Sequence, residues 1–448
     1  MNLLIQEKCR VSLLWLFCSA TLAATAQAQT PLRYDFEPGD RLIYERRVRV
    51  LPMNGDTPLR SYREQIQFWC LARDLDESFL FAELIRVDNQ NPSETISLAF
   101  HINHRGQRQF SPEILNGVTN CDPILDILPI LPTSLEDGAE WLSPPDHYGR
   151  RWSCRRVADS TDHLIRIDFN LADPTGVAAV LQLTQRGILT YDPRHACMTR
   201  VEVESADPIN GRFQYVAVLL SRLKMTELWC QQRLQEWEKI QRVLRQQGIL
   251  IDRLWNDPNR PLHVSTAIER YWDELANEYA GTPDNPMLRY ARAELRGARA
   301  ARQRLQEQDE LAGRWRGIKA AQWSLQTPAD RTLESESLRD RPTLECFWSV
   351  SHPDCLRVFE QLRRLLTAFP QDQLRVVCLN IDADVVQAKR AIELAGDGLT
   401  HVLAGAPLDG APPRDLPIFR LLAPDSRIIG IYFGWQPNLA ARITDKIR

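Results

Sequence analysis

A chain of 448 residues is too long for one ordinary domain and predicts two or three. With 44% hydrophobic and 25% charged residues it has the make-up of a folded globular protein. Its net charge of −3 gives no sign of a strongly basic surface of the kind that holds nucleic acid or an acidic membrane.

The N-terminus reads as a Sec-type signal peptide over residues 1–28. Lys8 and Arg10 form a basic start, VSLLWLFCSATLAA (11–24) is apolar, and ATAQAQ (24–29) offers small residues for cleavage after Ala26 or Ala28. Phe17, just before Cys18, argues against a lipoprotein site. The apolar run is short for a membrane span, so an uncleaved anchor is the competing reading. No later run is long and apolar enough to span a bilayer. Ten cysteines are present, of which Cys9 and Cys18 precede the cleavage sites. The remaining Cys70, Cys121, Cys154, Cys197, Cys230, Cys346, Cys355 and Cys378 can pair in an oxidising compartment, but their spacing gives no connectivity and lacks the close pairs of a structural zinc site.

Residues 29–225 read as a β-rich domain. A Pro-Gly-Asp turn opens YDFEPGDRLIYERRVRVL (34–51). Further strand patterns follow at 61–75, 78–89, 97–112 (a hairpin turning at Arg105-Gly106), 163–173, 179–193, 198–208 and 213–225. Repeated antiparallel strands predict a sandwich or a partly open barrel. The Pro- and Leu-rich stretch 113–146 is expected to cover one sheet face or mouth. HINH (101–104) falls on a predicted strand, which would point His101 and His104 to opposite faces; a solvated hairpin explains it better than a metal pair.

Residues 226–320 change to helical period. Leu228, Trp229, Leu234, Trp237, Ile240, Val243 and Leu244 recur along 226–249, a capped helix runs over 265–281, and an Ala- and Arg-rich helix runs over 285–315. This Trp and Leu stripe reads as packing surface.

Residues 321–448 alternate again. A short hairpin at 323–338 precedes a buried strand PTLECFW (342–348), a helix at 354–370, a strand at 373–382, a helix at 385–396, a hairpin of strands 416–424 and 428–435, and a closing helix at 439–447. The order β-α-β-α-β-β-α predicts a mixed sheet covered by helices on both faces. The fold class is therefore α+β multidomain: an antiparallel β domain, a helical middle segment and an α/β domain.

The last of these resembles the thioredoxin superfamily, in particular its exported TlpA/ResA-like branch, from Trp323 to the end of the chain. Phe347-Trp348 keeps the family's strand end, Cys355 lies where the second cysteine of Cys-x-x-Cys belongs, and Leu416-Pro417 matches its cis-proline position. Ala423-Pro424-Asp425-Ser426 followed by Arg427-Ile428-Ile429 matches its turn and return strand. The resemblance implies a groove formed by Trp348, Ser351, Leu416 and Pro417, open to an extended peptide. It implies no cofactor and no metal.

The departures bear on function. The family's first cysteine maps to His352, giving His352-Pro353-Asp354-Cys355; the tryptophan before it becomes Ser351; the acid often preceding Phe-Trp maps to Cys346. Dithiol exchange starts from a thiolate whose pKa is lowered at a helix N-terminus, and imidazole forms no disulfide. Three readings of Cys355, His352 and Cys346 stay open. The first is a binding or scaffold domain in which Cys355 is a packed remnant. The second is a Cys346–Cys355 pair, structural or redox-active, if the backbone allows it. In the third, His352 and Cys355 act in single-thiol or metal chemistry, although two residues are too few for a metal without outside ligands. The expected protein is an exported, periplasmic or secreted, degenerate thioredoxin-like scaffold with a peptide partner at the groove and a ligand or partner for the β domain. The alternative is a noncanonical thiol-disulfide oxidoreductase using Cys355, with or without Cys346.

Overall fold

The computed structural model describes residues 32–52, 55–87, 95–110, 122–131, 140–143, 151–157, 164–173, 184–207, 211–256, 261–282, 284–369, 373–396, 398–406, 415–434 and 438–447. The predicted signal peptide and Cys121 lie outside them. The chain divides into two compact units: Met1–Pro174 with Thr184–Ala206 and Gly211–Gln232, and Thr175–Leu183 with Asp207–Asn210 and Arg233–Arg448. The three-part reading gave the helical segment a place of its own; here the helices from Arg233 onward group with the C-terminal α/β part.

The first unit is built on one antiparallel sheet. Its strands are β1 (Asp40–Leu51), β2 (Arg60–Arg73), β3 (Glu77–Val87), β4 (Thr95–Asn103), β5 (Arg108–Gln109), β6 (Glu140–Leu142), β7 (Arg151–Val157), β8 (Ile165–Asp173), β9 (Thr184–Asp192), β10 (Cys197–Asp207) and β11 (Gly211–Lys224). They lie in the order β5-β4-β3-β2-β1-β11-β10-β9-β8-β7-β6. Two meanders thus meet where β1 pairs with β11. All eleven of these strands belong to one hydrogen-bonded sheet. Strand β7 was not foreseen, because Arg151 and the Arg155-Arg156 pair interrupt its apolar alternation.

Within the expected covering stretch, a short helix α1 (Asp122–Leu125) packs against β3 and carries the fully buried Ile124, Leu125, Ile127 and Leu128 beside it. It is tied down by Tyr34 Oη donating to Pro129 O at 2.9 Å and Arg108 Nη2 donating to Leu125 O at 2.5 Å. On β1 the alternate residues Leu42, Tyr44, Arg46 and Val48 are buried. Arg46 is held there by Glu64 of β2 at 2.6 Å, the pairing a buried cation requires.

In the second unit, α2 (Glu227–Asn256), α3 (Pro261–Glu278) and α4 (Pro286–Trp315) share an aromatic core. Tyr290 sits edge-on to Trp237 with centroids 5.7 Å apart and lies 5.9 Å from Trp272; of the predicted stripe, Trp237, Ile240 and Leu244 are buried, while Leu228 is exposed. Helix α4 starts cleanly because Asn285 caps it, its Oδ1 accepting from the Met287 N–H at 2.9 Å ahead of Pro286 at the first position.

The remaining strands are β12 (Ser324–Gln326), β13 (Thr332–Glu334), β14 (Thr343–Trp348), β15 (Arg375–Asn380), β16 (Thr400–Leu403), β17 (Ile418–Leu422) and β18 (Ile428–Phe433). They form a sheet in the order β13-β12-β16-β15-β14-β17-β18. Strands β14, β15 and β16 run parallel, and β17 returns antiparallel to β14. The parallel strands are joined through helices α5 (Pro353–Ala368) and α6 (Val385–Ala395), and α7 (Leu439–Ile447) packs on α5 and β18. Every residue of β14 is buried, as suits a central strand. Strand β16 is additional to the predicted order. No helix among the described residues is long and apolar enough to cross a membrane.

Candidate functional site

The site lies where β14 ends and α5 begins. Successive side chains of a strand alternate between faces, so Leu344, Cys346 and Trp348 share one face of β14 and Glu345 and Phe347 the other. Trp348 meets Phe359 of α5 edge-on at 4.8 Å, which assigns the first face to that helix. Register extends the row across the sheet: Cys346 pairs with Cys378 on β15, and Cys378 with His401 on β16. His401 lies 5.2 Å from Phe359 and 6.0 Å from Trp348, both edge-on. Neither of its ring nitrogens has a hydrogen-bond partner among the described residues. Burial, with the Arg363 guanidinium nearby, pushes its pKa down to about 4.

Helix α5 takes His352 as its N-cap residue, in extended conformation and with no side-chain capping bond, and Pro353 as its first residue. The Cys355 N–H donates to His352 O at 3.1 Å. The preceding loop is clamped by Asp382, just past β15: its carboxylate accepts from the Val350 N–H at 2.8 Å, from the Ser349 hydroxyl, and from Asn380 Nδ2 at 2.7 Å. Ser349 in turn accepts from the Ser351 N–H at 3.1 Å and contacts the Ser351 hydroxyl at 2.7 Å. Asp382 therefore fixes the path that sets His352 at the helix start.

Residue by residue, the expectations divide. Ser351 is exposed and His352 half-buried. Cys355 is fully buried, with 0% of its surface exposed. Trp348 was expected to line the groove; it is also 0% exposed and supports the surface from beneath, because its strand is covered on that face by α5. The Leu416–Pro417 peptide bond is cis, as the matched position implied. Since Phe347 pairs with Ile418, one further step of that register brings Pro417 to the β14 end that carries Trp348. Both Leu416 and Pro417 are buried, and Pro417 O accepts from the Gly434 N–H at 2.8 Å.

The sulfurs lie below this surface. All seven described cysteines are buried and reduced. Burial above all, with the neighbouring Cys378 and Cys355 adding to it, drives the Cys346 pKa well up. One of the three readings paired Cys346 with Cys355; the residue opposite Cys346 on the neighbouring strand is Cys378. Among the described residues, no group of three or more His, Cys, Asp or Glu side chains is placed to hold a metal ion.

The acid near Phe347-Trp348 is Glu345, and it serves the opposite face. Its carboxylate accepts from Arg420 Nε at 2.7 Å and from Trp323 Nε1 at 2.9 Å. Arg420 also sits over the Phe347 ring at 5.0 Å, and both charges are fully buried. A residue pointing away from α5 cannot exchange a proton with Cys355.

Asp382, His401 and the Glu345–Arg420 pair escaped the sequence reading. Asp382 stood at the end of a predicted strand, and the Asn380-x-Asp382 spacing was the signal available. The two histidines of HINH do not come together: His101 is on β4, 5.0 Å from Phe79, and His104 lies in the turn beyond it.

No family model matches this chain, and no curated protein matches it. Among solved structures, a thiol-disulfide oxidoreductase from Bacteroides fragilis is 20% identical, covering 29% of this chain and 98% of its own, with a TM-score of 0.26. The thioredoxin domain of a thiol-disulfide oxidoreductase from Bacteroides vulgatus is 15% identical over 30% of this chain and 98% of its own, TM-score 0.26. A secreted Mycobacterium tuberculosis disulfide oxidoreductase homologous to E. coli DsbE is 18% identical over 28% and 96%, TM-score 0.24.

Proposed function

We propose that the C-terminal α/β part is a thioredoxin-like binding module that has lost dithiol exchange, carried by an exported protein of the cell envelope or its surroundings. One observation carries the reading. The helix start, where exchange needs a reactive sulfur, bears His352, and the remaining sulfur of the motif, Cys355, is fully buried. The helix N-terminus and the Asp382-clamped loop before it favour a surface that receives an extended protein segment. The antiparallel unit would supply a second ligand or partner surface. The net charge gives no support for nucleic acid.

The test is insulin reduction by the purified mature protein, run beside His352→Cys, Cys355→Ser and the double variant. The wild type is expected to be inactive. His352→Cys is expected to gain activity, which the double variant loses. Turnover by the wild type that disappears in Cys355→Ser would establish the competing reading, an oxidoreductase working through Cys355 with or without Cys346.

A further inference from the structure

Cys346 and Cys378 stand opposite one another on neighbouring parallel strands and project from the same face of the sheet. Both are fully buried and reduced. Adjacent strands run about 4.8 Å apart, inside the roughly 4.4–6.8 Å that a disulfide spans between α carbons. Cys355, the third sulfur of the cluster, lies on α5 and acts on Cys346 electrostatically. The row continues to His401, whose buried ring nitrogens have no partner among the described residues, so this patch of the core is polar along its length.

We infer that Cys346 and Cys378 are a buried dithiol that a small hydroperoxide converts reversibly into a disulfide tying β14 to β15. In the first step one thiol attacks the peroxide: the O–O bond breaks, a sulfenic acid forms, and water or an alcohol leaves. In the second step the other thiol attacks the sulfenic sulfur. The S–O bond breaks, the S–S bond forms, and the hydroxyl departs as water with the thiol proton. Two sulfurs are oxidised and one peroxide is reduced. Protein disulfides are too large to reach this fully buried pair, so a small diffusible oxidant is the class that fits. The inference is independent of what His352 does at the surface.

The reduced full-length protein would be exposed to hydrogen peroxide under native conditions, quenched, alkylated in urea and digested without reductant. The expected product is one linked peptide pair containing Cys346 and Cys378, lighter by two hydrogens and separated again by dithiothreitol. It should persist in Cys355→Ser and be lost in Cys378→Ser. A 346–355 or 355–378 link would overturn the inference, as would full alkylation of both Cys346 and Cys378 after peroxide. The wild-type map decides the matter even if Cys378→Ser fails to fold.

Discussion

Replacing His401 by phenylalanine should remove most of the acid sensitivity that this residue gives the C-terminal unit. His401 is packed between Trp348 and Phe359, with Cys378 beside it on β15 and the Arg363 cation on α5. Its pKa falls from 6.5 in the unfolded chain to about 4 in the fold. Between those values the unfolded chain takes up a proton that the folded one refuses, so protons favour unfolding. The full stability is present above the unfolded value and is lost as pH falls from about 6.5 towards 4. The difference of roughly 2.5 units, at 1.36 kcal/mol each, amounts to about 3 kcal/mol. Urea unfolding of the wild type and His401→Phe, followed by tryptophan fluorescence at a series of pH values from neutral down to the folded pKa, measures this directly. Carboxylates titrate alike in both proteins and cancel in the comparison. The wild type should lose about 3 kcal/mol more than the variant over that range. Parallel stability curves for the two proteins would refute the reasoning, because they would mean that His401 accepts a proton in place.

Two further perturbations test the packing. Glu345→Leu leaves the Arg420 cation buried without its carboxylate and should cost about 3–5 kcal/mol in urea unfolding, whereas Glu345→Leu with Arg420→Met should recover most of it; equal losses in single and double variants would contradict the pairing. In the β unit, a Cβ on Gly187 would stand 2.0 Å from Glu202 O and 2.7 Å from the Phe169 ring. Gly187→Ala should therefore destabilise by about 1–3 kcal/mol. Gly297, within α4, has nothing within 4 Å of such a Cβ, and there the same change should stabilise by about 0.5–1 kcal/mol. Thermal or urea unfolding of both variants checks the opposite signs.

How far the sequence carried depends on whether a segment shows one face or two to its surroundings. Strand β1 alternates buried and accessible residues, so the repeat in DRLIYERRVRVL was enough to find it. Strand β14 is buried on both faces, and alternation is lost there. TLECFW identifies a central strand but not which residues face the helix. That is why Trp348 was expected at the surface, and why the acid one position from Cys346 went unremarked. Strand β16 has only four residues, THVL, set in a stretch broken by Gly396, Gly398 and Gly405. Its existence, and with it the place of His401, depends on pairing with β15, which no local pattern announces. The helices were the most legible elements, since long periodic stretches with Asn285 or Gly396 at their ends carry their own boundaries.

Under the proposed function, the surface can persist without exchange chemistry, because the two rest on separate features. A reactive thiol at a helix start draws on two separable things: the polarised N–H groups of the helix, and the sulfur they activate. The first depends on backbone geometry. Here that geometry is maintained by Asp382 on the loop, Pro353 at the first helical position and Trp348 beneath the turn. None of these contacts involves a cysteine side chain. On the proposed reading, a histidine at position 352 leaves the helix start without a reactive sulfur while the surface around it stays in place. The same separation gives the His352→Cys experiment its force. If the scaffold is intact, a single sulfur placed at the helix start should acquire a lowered pKa from its surroundings alone, before any partner is present. Iodoacetamide alkylation of His352→Cys at a series of pH values reads that pKa. A value near the ordinary thiol's would show that the loop and helix no longer provide the setting, and that more than one residue separates this chain from an oxidoreductase.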